Sequence, residues 1–140
     1  MNVRRALADE EGTILPLILG YVVLALAAVF VCVCATSLYL DQKRLDGLAD
    51  AAALAAADGF TLVVEGDAPR AELTSDGVRE QAAALLAATG RDAALVSAET
   101  PDGVSARVTV AGVWHPPLVS LFVPDGVPLE ATAISRTALR

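Results

Sequence analysis

The sequence predicts an α+β protein: a long N-terminal transmembrane helix continuing into an Ala-rich helix, followed by a small, mainly antiparallel sheet of about four strands with one helix. Three observations carry this. Residues 13–40 hold no charged side chain. From Asp41 an alanine-dense segment keeps a helical apolar period as far as Gly59. Behind Gly59, short runs rich in Val, Leu and Thr alternate with Gly- and Pro-containing turn signals. The expected organisation is a cytoplasmic leader over 1–12, a transmembrane helix over 13–40, its Ala-rich extension over 41–59, and a small extracytoplasmic α+β domain over 60–140.

The apolar run is the first element. Crossing about 30 Å of hydrocarbon takes about 20 apolar residues, and Thr13–Leu40 exceeds that. The apolar core of a secretory signal is only about 7–15 residues long, so the run predicts an anchor. Arg4 and Arg5 stand before it, opposed by Asp9, Glu10 and Glu11. Tyr21 and Tyr39 lie about 27 Å apart along a helix, which fits an interfacial aromatic belt or a coincidence of two residues. Pro16 falls in the first turn of a helix beginning at Thr13, where its missing N–H costs little. Arg4 and Arg5 on one side are matched by Lys43 and Arg44 on the other, so charge does not choose an orientation. The short N-terminus and the folded C-terminal domain favour N-in, C-out.

Cys32 and Cys34 are the only cysteines. Two residues apart on a helix they point about 200° apart and cannot bond to each other. They read as small lipid-facing residues, with palmitoylation or an intermolecular contact as the alternatives.

In the extension, Leu45, Leu48, Ala49, Ala52, Ala55 and Ala56 form one stripe at i, i+3, i+4, i+7 spacing. Alanine favours the helix and lets another helix approach closely. Leu45, Ala49, Ala52 and Ala56 are therefore the candidate helix-packing residues. Asp46 and Asp50 lie on the opposite side, and Gly59 ends the helix. Phe60–Glu65 reads as a strand and Gly66–Pro69 as a turn. Ser75 or Asp76 caps a helix reaching about Thr89, with Gly90 as its stop and Val78, Ala82, Leu85 and Leu86 as its apolar face. Leu95–Glu99 and Val104–Val113 read as strands joined by a tight turn at Thr100-Pro101-Asp102-Gly103. Trp114-His115-Pro116-Pro117 breaks the second of these. Leu118–Val123 is an apolar patch, helical turn or loop, and Leu129–Leu139 is the last strand. Trp114 and Phe122 read as domain core, with an exposed partner-binding patch as the alternative.

Chemistry is excluded by what the pattern lacks. The net charge is −7, and after Leu40 eight basic face fourteen acidic side chains, the opposite of a nucleic-acid-binding face. His115 is the only histidine and stands before two prolines with no nucleophile or acid suggested by spacing. No cluster of metal ligands, phosphate-binding glycine loop, CxxC or HExxH occurs. Asp46, Asp50 and Asp58 read as a solvated face. The expectation is a non-enzyme with no catalytic, cofactor or metal site.

The leader ending in Glu11-Gly12, the apolar helix, the basic pair Lys43-Arg44 and the run Leu45-Asp46-Gly47-Leu48-Ala49-Asp50-Ala51-Ala52-Ala53-Leu54-Ala55-Ala56-Ala57 together resemble the TadE/TadG-like family of the tight-adherence (Tad, Flp) pilus systems of bacteria. The resemblance covers residues 10–60. It implies a pilin-like layout and a single-pass membrane pseudopilin or assembly component with its N-terminus inside. The implied partners are the lipid bilayer, other pilus or pseudopilin subunits, inner-membrane assembly platform proteins and further copies of itself. It also implies Gly12-Thr13 as a candidate prepilin-type cleavage point. The fifth residue after Gly12 is Leu17 where the processed members carry glutamate. The alternative is a membrane-tethered extracytoplasmic binding or accessory module unrelated to pili.

Overall fold

The computed structural model describes residues 3–90, 92–117 and 119–137; the side chains at 3–13 and at Ala68 are outside that description. Its elements in order are helix α1 (Val3–Ala57), strands β1 (Thr61–Glu65) and β2 (Ala68–Glu72), helix α2 (Ser75–Thr89), and strands β3 (Ala93–Glu99), β4 (Ser105–Trp114) and β5 (Val127–Arg136). The chain divides into two compact units, Met1–Ser37 and Leu38–Arg140. The α+β class is as the sequence predicts, with five strands in place of about four.

In the first unit, residues 14–37 form helix whose large apolar side chains face outward all round; Leu15, Tyr21 and Leu24 are all more than half exposed. The helix begins at Val3, so Pro16 lies inside it and not in its first turn. A proline there supplies no N–H to the carbonyl four residues back, which is that of Gly12. Transmembrane helices tolerate such breaks.

In the second unit β3, β4 and β5 form an antiparallel sheet in the order β3-β4-β5. The strand period of two puts Ala106, Val108 and Val110 of β4 on one face. Their register partners Ala133 and Ala131 on β5 and Ala98 on β3 share it. All six are buried. They form one core with Leu45, Leu48, Ala49, Ala52, Ala53, Ala56 and Ala57 of α1, and with Val78, Ala82 and Leu86 of α2. The alanines of α1 let the helix lie close over a sheet face that is itself built of alanine and valine. On the opposite face Thr109 and Thr132 share a hydrogen bond of 2.8 Å, and Arg107 pairs with Glu99 at 3.6 Å. Such exposed cross-strand pairs contribute a few tenths of a kcal/mol to about 1 kcal/mol each.

The β1–β2 hairpin differs from the sequence reading, which has a turn and no second strand over 66–72. Gly66, at φ 78°, supplies the left-handed residue of the two-residue turn Gly66-Asp67. Pro69 sits in β2 opposite Val64; a two-stranded sheet has only edge strands, where proline is tolerated. A pair this short is marginal alone. It is tied down at its open end by Thr61 Oγ1 donating to Glu72 O (3.3 Å) and by Leu73 N donating to Gly103 O (2.8 Å).

Helix α2 is capped by Thr74, not by Ser75 or Asp76: its side chain accepts from Gly77 N at 3.2 Å. Asp76 lies in the first turn, where a carboxylate favours the helix dipole. Thr74→Ala should cost about 1 kcal/mol and Ser75→Ala close to nothing, measured as the shift in urea midpoint; equal effects would remove the cap assignment. Gly59 does end α1, but not in a left-handed conformation. A Cβ there would stand 2.7 Å from Gln81 Cγ, so glycine allows α2 to approach.

The turn before β4 is built on Asp102, whose carboxylate accepts from Val104 N (3.1 Å), Ser105 N (2.6 Å) and Ser105 Oγ (2.9 Å). The Ser105 hydroxyl first, and the two backbone N–H groups with it, hold this carboxyl below its ordinary value of 3.8. A carboxyl lowered on folding contributes stability that is present above the unfolded value and is lost as pH falls through the folded one. The wild-type domain should therefore lose stability as pH is taken below about 3.8. Asp102→Asn should be less stable at neutral pH and should lose that part of the acid dependence, read from thermal melts across pH.

Candidate functional site

The sequence-predicted packing residues come together, on a face that the chain itself occupies. Leu45, Ala49, Ala52 and Ala56 are all buried, Ala52 and Ala56 completely. The stripe is wider than the sequence reading, because Ala53 and Ala57 are buried with it and Ala55 is only half-buried. A helix approaching from another subunit was the expected neighbour. The neighbours found lie within the chain's own unit, where the stripe shares one buried core with the β3-β4-β5 sheet and with α2.

The polar face of the extension is as expected. Asp50 and Asp58 are exposed. Asp46 accepts from Gln42 Nε2 (3.0 Å) and Lys43 Nζ (3.2 Å), which hold its carboxyl below 3.8, the Gln42 hydrogen bond first. Arg44 pairs with Asp41 at 3.1 Å, and Lys43 Nζ stands 5.9 Å from the centre of the Tyr39 ring. Gln42 Nε2 also donates to Glu130 O at 3.0 Å, joining α1 to β5. A crevice of about 180 Å³ opens beside these groups, lined by Asp41, Arg44, Leu45, Asp92, Gly112 and Leu129 among others. Its charged residues are engaged in an exposed ion pair or lie on the rim, and its size is below that of sites for drug-sized ligands.

Among the described residues no group of three or more His, Cys, Asp or Glu could hold a metal ion. His115 is exposed beyond the end of β4. Trp114 belongs to β4 and does not break it; it is 8% exposed and buried. Phe122, paired with it in the sequence reading, is 81% exposed, so the two residues divide between core and surface. Leu118–Val123 is a set of turns, with Leu118 outside the described residues. The last strand ends at Arg136, and 138–140 lie outside the described residues.

One helix among the described residues is long and apolar enough, by length and composition, to cross a membrane: it holds an 18-residue stretch of mean hydropathy 2.9, none of it buried within the chain. At 1.5 Å per residue, residues 14–40 measure about 40 Å, enough to span about 30 Å with some tilt. Length and composition thus suit this helix to a single crossing of a membrane. Cys32 is exposed, Cys34 half-buried, and neither forms a disulfide. Gly12 and Thr13 lie in the α1 backbone, with their side chains outside the described residues.

Residues 12–59 match the protein family described as "Putative Flp pilus-assembly TadE/G-like". The match covers about a third of the chain and coincides with α1 from Gly12 to the glycine that closes it. Over these residues the chain is similar to that TadE/G-like family. No curated protein and no solved structure matches the chain.

Proposed function

We propose that the protein is a non-enzymatic, single-pass membrane, pseudopilin-like component of a Tad/Flp-type pilus or a related secretion assembly. The observation that carries this reading is the family match over residues 12–59. The helix anchors the chain with its N-terminus in the cytoplasm, and the domain of residues 60–140 stands outside the membrane, where it docks on other pilus or pseudopilin subunits. Inner-membrane platform proteins meet the anchor. With Ala49, Ala52 and Ala56 engaged in the chain's own core, docking falls to the exposed surfaces of the domain, and the apolar run is left to pack against other helices in the membrane.

Leu17 in place of glutamate removes the carboxylate that would neutralise the new N-terminus of a neighbouring subunit, which favours an assembly role over a major filament subunit. The Gly12 carbonyl lacks its helical donor because of Pro16, which loosens the helix at the candidate cleavage point. Deleting the chain in its host should abolish Flp-type filaments, and the wild-type chain should restore them; normal filaments without it would overturn the reading. N-terminal sequencing of the mature protein resolves processing, with a start at Thr13 expected for a processed pseudopilin and an earlier start for a permanent anchor with its leader retained.

A further inference from the structure

The loop between β4 and β5 lies at one defined end of the unit Leu38–Arg140. Helix α1 and strand β4 run in opposite directions there. At the far end of α1, Gly59 lies against Gln81 of α2, and Leu73, just before the α2 cap, is bonded to Gly103 just before β4. At the near end, Leu45 Cδ1 stands 3.4 Å from where a Cβ on Gly112 would be, and Gln42 holds Glu130 of β5. Strand β4 runs two residues past Gly112, about 7 Å; the helix covers that distance in about five residues, back from Leu45 to Leu40. The last strand pair, Trp114 and Val127, is thus roughly level with Leu40. Residues 115–117 and 119–126 lie beyond that pair, at the end of the unit where the chain enters from the apolar run.

The tip of this loop carries Leu121 and Phe122, 89% and 81% exposed, the two most exposed large apolar side chains among the described residues. They are held in place: Phe122 N and Val123 N donate to Val119 O (2.8 and 3.1 Å), and Gly126 N donates to Val123 O (3.2 Å). Gly126, at φ 68°, packs so closely on Val113 and on the Trp114 carbonyl that a Cβ there would clash with both. Trp114 and Pro116 at the loop base are buried. An ordered turn that offers two bulky apolar side chains beside a membrane exit is suited to the lipid interface, where apolar side chains bury in the headgroup and acyl boundary.

We propose that Leu121 and Phe122 form a second membrane contact, seated in the interface of the leaflet from which α1 emerges. The proposal rests on reading residues 13–40 as the membrane span. The test uses the full chain with Cys32→Ala and Cys34→Ala, reconstituted in vesicles of phosphatidylethanolamine and phosphatidylglycerol, carrying a thiol-linked fluorophore at Phe122→Cys, at Val64→Cys on the distant hairpin, or at Leu26→Cys in the span. The probe at 122 should be quenched by lipids spin-labelled near the headgroup and be several-fold less accessible to iodide than the probe at 64. Equal iodide access at 122 and 64, with the probe at 26 quenched by acyl-chain spin labels, overturns the loop contact and leaves the span standing. A probe at 122 shielded from iodide but untouched by lipid quenchers also overturns it, in favour of contact with a second copy. A probe at 26 that no lipid label quenches overturns the span and this contact together.

Discussion

Ala52→Phe should unfold or severely loosen the unit Leu38–Arg140. Ala52 is fully buried in the core that α1 shares with the sheet and α2, and Val108, Val110, Ala131 and Ala133 of that core are buried too. Introducing a large side chain into a packed core typically costs about 1–3 kcal/mol. An alanine-on-alanine contact offers few long side chains that can move aside, so the upper part of that range applies. For a domain of roughly 100 residues, each 1 kcal/mol lowers the melting temperature by about 4–8 °C. A fall of more than about 10 °C is expected on this scale, followed by the fluorescence of the single, buried Trp114. Ala51 is exposed one residue away, so Ala51→Phe should change the melt little. Equal sensitivity at 51 and 52 would show that the stripe does not face the core. The result also bears on assembly. Loss of filaments in the Ala52→Phe protein would follow from a broken subunit, and only a surface variant with an intact melt reports on docking.

Arginine at the middle of the apolar run should displace the chain from the membrane. An arginine at the centre of a spanning helix costs about 2.5–3.5 kcal/mol on the insertion scale, and the lost apolar residue adds a little more. Leu26→Arg combined with Ala27→Arg places two charges on different sides of the helix, where one polar neighbour cannot shelter both. The double variant should be extracted by alkaline carbonate, whereas Leu40→Arg, close enough to the end for its side chain to reach the interface, should remain in the pellet. Retention of the double variant would remove the spanning assignment.

The sequence makes the helices and the main sheet legible because their signals are local. An uncharged run, a helical alanine stripe and the alternation of Val104 to Val110 each fix an element without reference to the rest. The hairpin strand β2 is illegible for a matching reason. Ala68–Glu72 contains a proline and two charged residues, and its strand state depends on a partner strand and on ties at Thr61 and Leu73. The cap of α2 shifts by one residue because Thr, Ser and Asp stand in succession and only geometry selects Thr74. Leu45, Ala49, Ala52 and Ala56 share one face by their spacing and are buried, but periodicity names a face and not its neighbour. An alanine face suits a helix or an alanine-lined sheet equally, and the alternation of Ala131 and Ala133 in β5 is the signal that points to the sheet. Trp114 and Phe122 show the same limit: two aromatics in one apolar stretch separate only when the strand is seen to end between them.

The antiparallel lay of β4 over α1 has a mechanical consequence. The stripe from Leu45 to Ala57 shares one core with the sheet and α2, with the Gln42 bond to β5 at one end and the Gly59 contact with α2 at the other. A pull along the axis of the Leu45–Ala57 helix therefore loads that contact lengthwise. All its side chains resist sliding together, and none is peeled off singly. Survival under such a load is set by how fast the contact breaks, so rupture force, measured by pulling the domain from its anchored helix, should fall in steps as Ala49, Ala52 and Ala56 are each replaced by glycine.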